Sequence, residues 1–106
     1  MKKIAFVLLM GLAQWSAVHA QDAVAGRTKA DSACALCHGP TGIATMPSAP
    51  NLAGQAPIYL SEQLKNYRGG KRQHEVMSVI AKPLTDAEIA NLAAWYSSIK
   101  VTVEAP

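Results

Sequence analysis

The segment Cys34-Ala35-Leu36-Cys37-His38 decides what this sequence folds around. Its C-x-x-C-H spacing is the attachment signature of c-type haem. One turn of helix brings the two sulfurs to neighbouring positions, where they can form thioether bonds with the two vinyl groups on one haem edge. The imidazole of His38 then lies below the ring and points at the iron. The motif therefore predicts one haem c per chain, held by Cys34 and Cys37 and ligated by His38.

Three other uses of paired cysteines compete with haem attachment. A thiol–disulfide active site requires a strand followed by a helix, whereas the segment before Cys34 has a helical pattern. A structural zinc site requires four ligands, and only His38 and His74 accompany the cysteines after residue 20. A structural disulfide is common in exported proteins, but it leaves the position of His38 unexplained. Haem attachment accounts for all three motif residues.

Residues 1–20 are typical of a secretory signal peptide. A Lys2-Lys3 pair precedes an apolar run over residues 4–13, and Val18-His19-Ala20 places small residues at both ends of a cleavage motif. This run is too short to cross a bilayer, which requires about twenty residues, although a retained N-terminal anchor is an alternative. No cysteine directly follows the cleavage motif, so no lipid anchor is expected. We predict export to the periplasm and a mature domain over residues 21–106 without a membrane span.

The composition of the mature segment limits the possible functions. The whole chain has 106 residues, half of them apolar. Without Lys2 and Lys3, eight Lys or Arg residues are balanced by seven Asp or Glu residues. A nucleic-acid-binding domain needs a strongly basic surface, so no nucleic-acid partner is expected. A single domain of this size is marginally stable by itself, and a bound cofactor is therefore expected to stabilise it.

The patterning predicts an all-α domain of about four helices with long loops wrapped around the haem. Helices are expected over residues 22–36, 58–68, 75–81 and 85–99. Thr85 begins the last helix with a T-x-x-E capping box, and Gly69-Gly70 ends the second helix. Seven Gly or Pro residues exclude a regular element from the loop before the second helix. A loop of this length in a small helical domain commonly has a functional role.

Three residues compete as the sixth iron ligand. Met46 follows His38 by only eight residues, so its chain would reach the opposite haem face with difficulty. Met77 is separated from His38 by a whole helix, and the chain can cross to the far face over that distance. A methionine before a hydrophobic run can also be a core residue. His74 would give a bis-histidine iron, although its charged neighbours are more typical of an exposed loop.

The chain resembles the class I c-type cytochromes, small single-haem electron carriers of bacteria. The likeness is strongest to the unit that dihaem cytochromes repeat, and it covers the chain from about Ala25 to Ile99. The matching residues are Cys34–Gly39, Pro50–Gln55, Tyr59-Leu60, Gln63-Leu64, Arg68, Gly70, Met77, Ile80-Ala81, Leu84–Asp86 and Ile89–Tyr96. Only one C-x-x-C-H motif is present, so electron transfer between two haems of one chain is not expected.

The resemblance implies a small cytochrome c fold with one haem iron ligated by His38 and Met77. It also implies that the Pro50 carbonyl accepts the Nδ1–H of His38 and fixes the ring. The first and last helices are expected to cross, with small and aromatic residues, among them Trp95, at the contact.

An iron with two protein ligands has no open position, so the chain is expected to be an electron carrier and not an enzyme. Its partners would be redox proteins that bind weakly and transiently to a monomer. The alternatives are a haem-containing subunit of a larger assembly and a catalytic haem protein with a displaceable sixth ligand. Four basic residues form either a docking patch or a solvated helix face: Lys65, Arg68, Lys71 and Arg72.

Overall fold

The computed structural model describes residues 21–106, which form five helices. They are α1 (Ala23–Ala33), α2 (Ala35–His38), α3 (Pro57–Gly69), α4 (Met77–Ala81) and α5 (Asp86–Ser98). The described residues contain no strand, so the all-α prediction is confirmed. None of these helices is long and apolar enough to cross a membrane. The predicted signal peptide lies outside the described residues.

The first predicted helix is divided at Cys34, which is why five helices replace the expected four. Cys34 has φ −123° and ψ −33°, outside the α-helical range. Its N–H still donates to the Ala30 carbonyl at 2.8 Å, while its own carbonyl accepts from the His38 N–H at 3.0 Å and starts a new turn. The prediction of one continuous helix over residues 22–36 was wrong because residue propensities do not record a break at a single position.

The ends of the longer helices follow the expected signals. The Glu88 N–H donates to Thr85 Oγ1 at 3.1 Å, and the Thr85 N–H donates to Glu88 Oε2 at 3.0 Å, which completes the predicted capping box. The bond from the Thr85 backbone, together with the Lys29 ammonium, lowers the pKa of the Glu88 carboxyl. Gly70 ends α3 in the left-handed conformation, at φ +81°. The predicted start of α4 was two residues too early.

Helices α1 and α5 cross, as expected, and Gly26 lies at the contact. A Cβ at Gly26 would overlap the Asn91 carbonyl oxygen and approach the Trp95 Cβ to 3.0 Å. The crossing is also joined by polar contacts, including an ion pair of 3.2 Å between Lys29 and Glu88. A residue without a side chain is therefore required in α1, although glycine is unfavourable inside a helix.

The core is formed mainly by α5 and the segments that pack against it. Its buried residues are Ala30, Leu60, Ala81, Leu84, Ile89, Leu92, Ala93 and Tyr96. The loop over residues 39–56 is fastened to this core because the Gly54 N–H donates to the Tyr96 carbonyl at 2.9 Å. Gly42, at φ +78°, lies close to the Tyr96 ring. It follows the end of α2 by only a few residues, so the first part of the loop is held near α2. The loop thereby closes one side of a cavity.

Candidate haem site

A cavity of about 550 Å³ is lined by residues from all five helices and from the loop over residues 39–56. Most of its walls are apolar or aromatic. These wall residues include Leu52, Tyr59, Leu60, Leu64, Tyr67, Ile80, Leu92 and Tyr96. The residues of α3 that line the cavity are spaced about one helical turn apart, so they lie on one face of the helix, as the sequence pattern predicts. The arrangement provides an apolar space beside the C-x-x-C-H segment.

Both motif cysteines line this cavity, and they are not joined in a disulfide. Cys34 lies at the junction of α1 and α2, and Cys37 lies within α2. Burial raises the pKa of the Cys34 thiol above its ordinary value, so the neutral thiol is favoured. Two thiols one helical turn apart at the edge of an apolar cavity provide the geometry for two thioether bonds to one group.

His38 is buried, with 6% of its surface exposed, and it also lines the cavity. Its Nδ1 lies 2.8 Å from the carbonyl oxygen of Pro50. A carbonyl can only accept, so Nδ1 carries the proton and Nε2 retains a lone pair that can bind a metal. This is the contact that the resemblance implies for Pro50. The loop therefore determines both the orientation and the tautomer of the His38 ring.

Met46 and Met77 both line the cavity, but they belong to different segments, Met46 to the loop over residues 39–56 and Met77 to α4. The Met46 N–H donates to the Cys37 carbonyl at 3.3 Å, so Met46 is attached to the wall that carries the thiols. Met77 is the first residue of α4, which packs against α3. A ligand opposite His38 must come from a wall other than that of the motif, and this favours Met77 over Met46.

His74 lines the cavity as well, and its side chain is exposed. Its Nδ1 accepts hydrogen bonds from the backbone N–H groups of Val76, at 3.2 Å, and Met77, at 3.3 Å. Because Nδ1 acts as the acceptor, the ring proton is on Nε2. In this tautomer neither nitrogen offers a free lone pair to iron. These bonds could not be predicted from the sequence, since they depend on backbone positions.

The residues of the cavity fit a covalently bound haem. They provide two thiols, an imidazole with a free lone pair, a thioether and apolar walls for a macrocycle. The Tyr96 hydroxyl is buried in the wall beside the Cys34 thiol, with no oxygen or nitrogen partner, and burial raises its pKa strongly. Such an unpaired group is expected where a bound group completes the site. Among the described residues that line the cavity, Arg72 provides a cation and no Asp or Glu is present.

Comparison with protein families matches residues 23–100 to the cytochrome c family. This chain belongs to that family. It therefore carries a covalently bound haem c, and its described residues have the cytochrome c fold.

Similarity to individual proteins agrees with the family match. The chain is 42% identical over 85 residues to cytochrome c4 of Thiocapsa roseopersicina, covering 80% of this chain and 44% of that protein. It is 35% identical over 102 residues to a protein of Thiomonas intermedia named thiosulfate dehydrogenase electron acceptor, covering 94% of this chain and 45% of that protein. It superimposes on a cytochrome c4 of Acidithiobacillus ferrooxidans with a TM-score of 0.71 and 33% identity, covering 79% and 53% of the two chains. The chain thus spans about half the length of each of these proteins.

The four basic residues considered as a docking patch do not form one equivalent group. Arg68 donates to the Leu84 carbonyl at 2.9 Å and to Asp86 Oδ1 at 2.6 Å, so it connects α3 to the start of α5. The guanidinium of Arg72 lies 4.7 Å from the ring centroid of Tyr67, at the cavity. Only Lys65 and Lys71 remain as exposed cations without such contacts among the described residues. The patch is therefore smaller than its sequence spacing indicates.

Proposed function

We propose that this chain is a one-electron carrier in which His38 and Met77 are the axial ligands of the haem iron. The observation that carries this proposal is the 2.8 Å contact between His38 Nδ1 and the Pro50 carbonyl. It occurs in a cavity that also contains both motif thiols and Met77. The fixed tautomer leaves Nε2 of His38 free to bind the iron, and Met77 would supply the second ligand from a different helix. The name of the thiosulfate dehydrogenase electron acceptor supports electron transfer as the role.

The residues around the haem determine how it works. When bound, haem supplies an iron that changes between Fe(III) and Fe(II). The Pro50 carbonyl holds the Nδ1 proton of His38, which keeps the imidazole oriented and increases its donor strength. The Met77 thioether is a soft, weak donor, and it favours Fe(II) relative to a second imidazole. The apolar walls favour the same state because net charge is costly in a medium of low dielectric.

A site closed by two side chains is suited to electron transfer and not to catalysis on bound substrates. Oxygen activation and peroxide chemistry require a vacant or easily displaced position on the iron. With His38 and Met77 both bound, such a position is absent. Two thioether links and the surrounding helices also limit the movement of the cofactor, so little of the site reorganises when an electron is transferred.

The site of action and the partners follow from the sequence and from the relatives. We infer that residues 1–20 are removed on export and that residues 21–106 act in the periplasm as a monomer. The donor is a dehydrogenase or another redox protein that binds weakly and transiently, since a carrier must release each partner. Interfaces of this kind bury less than about 1,200 Å² in total.

A redox titration combined with carbon monoxide binding tests this function. We expect a titration curve with the slope of a single-electron transfer and no rapid binding of carbon monoxide to the reduced protein. These results reflect one haem whose iron has both axial positions occupied. Rapid carbon monoxide binding, or a high-spin oxidised form, would contradict the carrier function and favour a catalytic haem protein.

Arg72 is proposed to face the carboxylates of the haem propionates. It is the cation of the cavity wall, and Gln63 Oε1, at 2.9 Å, and the Tyr67 ring hold its guanidinium in place. Replacement of Arg72 by Gln removes a positive charge near the iron, so Fe(III) becomes relatively more stable. We expect the midpoint potential to fall by a few tens of millivolts, about half of the 59 mV that corresponds to a tenfold change for one electron.

Lys65→Gln is the matched control for Arg72→Gln, because Lys65 is also an exposed cation but does not line the cavity. Its removal changes the net charge equally but is screened by solvent. Equal changes of potential in the two variants would show that Arg72 has no specific role at the haem.

A further inference from the structure

A closed group of hydrogen bonds surrounds Met77. His74 Nδ1 accepts from the N–H groups of Val76 and Met77, at 3.2 and 3.3 Å. In return, the His74 N–H donates to Ser78 Oγ at 3.0 Å, and the Ser78 N–H donates to the His74 carbonyl at 3.0 Å. Residues on both sides of Met77 are therefore linked to a single residue, His74.

The His74 ring also contacts the neighbouring helix. It lies edge-on to Tyr67 of α3, with the ring centroids 6.5 Å apart and the planes at 74°. The face of Tyr67 carries the Arg72 guanidinium, which Gln63 Oε1 holds in place. His74 thus connects the start of α4 to a side-chain cluster on the cavity side of α3.

Helix α4 depends strongly on this connection because it has only five residues. A helix of one to two turns is unstable in isolation, and its first N–H groups have no partners within the helix. The imidazole of His74 satisfies two of these groups, including that of Met77 itself. Whatever holds the first turn of α4 also limits the positions that the Met77 side chain can reach.

We propose that His74 is a positioning residue that keeps the Met77 sulfur at the iron. This inference rests on the proposed function, since it takes Met77 as the sixth ligand. His74 acts through the backbone of Met77 and does not bind the iron, because its Nδ1 is occupied by the two N–H groups. Without the imidazole, the first turn of α4 loosens, and the Met77 sulfur leaves the iron more often.

Binding of imidazole to the oxidised haem protein measures how often Met77 leaves the iron. We expect His74→Ala to increase the apparent affinity for imidazole by roughly five- to thirtyfold, the range that corresponds to loss of a helix cap. Asparagine can place its Oδ1 where Nδ1 of histidine lies, so His74→Asn should bring the affinity back to within about twofold of the wild type. The weak far-red absorption band of an Fe(III)–sulfur bond should follow the same order.

Two further variants make the test specific. Glu75→Ala changes an exposed neighbour outside this group of bonds and should leave imidazole affinity unchanged. Ser78→Ala removes the return bond to His74 and should increase the affinity less than His74→Ala does. The proposal is overturned if His74→Ala behaves like Glu75→Ala, or if His74→Asn is as impaired as His74→Ala. If the wild type itself lacks the far-red band, the proposed Met77 ligation fails instead.

Discussion

Replacing Met77 with alanine is expected to open the sixth position of the iron. The oxidised protein should change from low spin to high spin or bind water, because no other sulfur on that wall of the cavity can replace the lost thioether. Its affinity for cyanide or imidazole should increase by roughly 100-fold or more, equivalent to about 2.8 kcal/mol at 1.4 kcal/mol per tenfold change. The midpoint potential should fall, since the ligand that favours Fe(II) is absent.

Met46→Ala is the matched control, because Met46 also lines the cavity but is attached to the wall of the thiols through the Cys37 carbonyl. This variant should retain a low-spin iron and the cyanide affinity of the unaltered protein. If Met46→Ala opens the sixth coordination position of the iron and Met77→Ala does not, Met46 is the ligand and Met77 is not.

Gly26→Ala is expected to cause the largest loss of stability among substitutions outside the haem site. The added Cβ would overlap the Asn91 carbonyl oxygen, and backbone atoms cannot move aside as a flexible side chain can. Helices α1 and α5 must therefore separate, which disturbs the packing of Ala30 and Ile89 in the core. We expect the free energy of unfolding to decrease by about 2–3 kcal/mol, measured by denaturant titration of the haem protein.

Gly69→Ala separates this effect from the general preference of helices for alanine. Gly69 is the last residue of α3, and a Cβ there would meet no atom within 4 Å. Its replacement should be neutral or stabilise the protein by up to about 0.5–1 kcal/mol, since glycine is a poor helix former. Similar stabilities for the two variants would show that the crossing of α1 and α5 tolerates a larger residue at position 26.

The parts of the fold that the sequence predicts well are those determined by local chemistry. The capping box at Thr85 and the left-handed Gly70 each need only a few neighbouring residues, and both occur as expected. The break at Cys34 was missed because only the backbone angles of this one residue leave the helical range, within a sequence that favours helix throughout. The need for glycine at position 26 could not be predicted from the sequence, since its close approach to α5 involves residues 65 or more positions away.

The residues of the site that belong to a short motif could be predicted from the sequence. Those whose role depends on backbone geometry could not. Cys34, Cys37 and His38 follow from one short motif, and the structure brings all three to the same cavity. The choice between Met46 and Met77 as the iron ligand required the three-dimensional structure, because it depends on which segment carries each residue at the cavity. His74 looked like an ordinary exposed residue, because its role depends on the directions of two backbone N–H groups.

Arg72 could not be placed at the cavity from its sequence spacing. Together with Arg68, it matched the pattern of a basic surface on one side of a helix. In the structure, Arg68 is bonded to Asp86 and Arg72 lies on the Tyr67 ring at the cavity. Tyr67 precedes both arginines closely, so the sequence alone does not show which guanidinium stacks on its ring.

We propose that His38 and Met77 together complete the coordination of the iron of one covalently bound haem. The visible absorption spectrum of the oxidised and then the reduced protein tests it most directly, after production in cells that attach haem to C-x-x-C-H motifs. We expect low-spin bands and a weak far-red Fe(III)–sulfur band that Met77→Ala removes and Met46→Ala retains. A high-spin oxidised spectrum, or a low-spin spectrum that Met77→Ala does not alter, would contradict it.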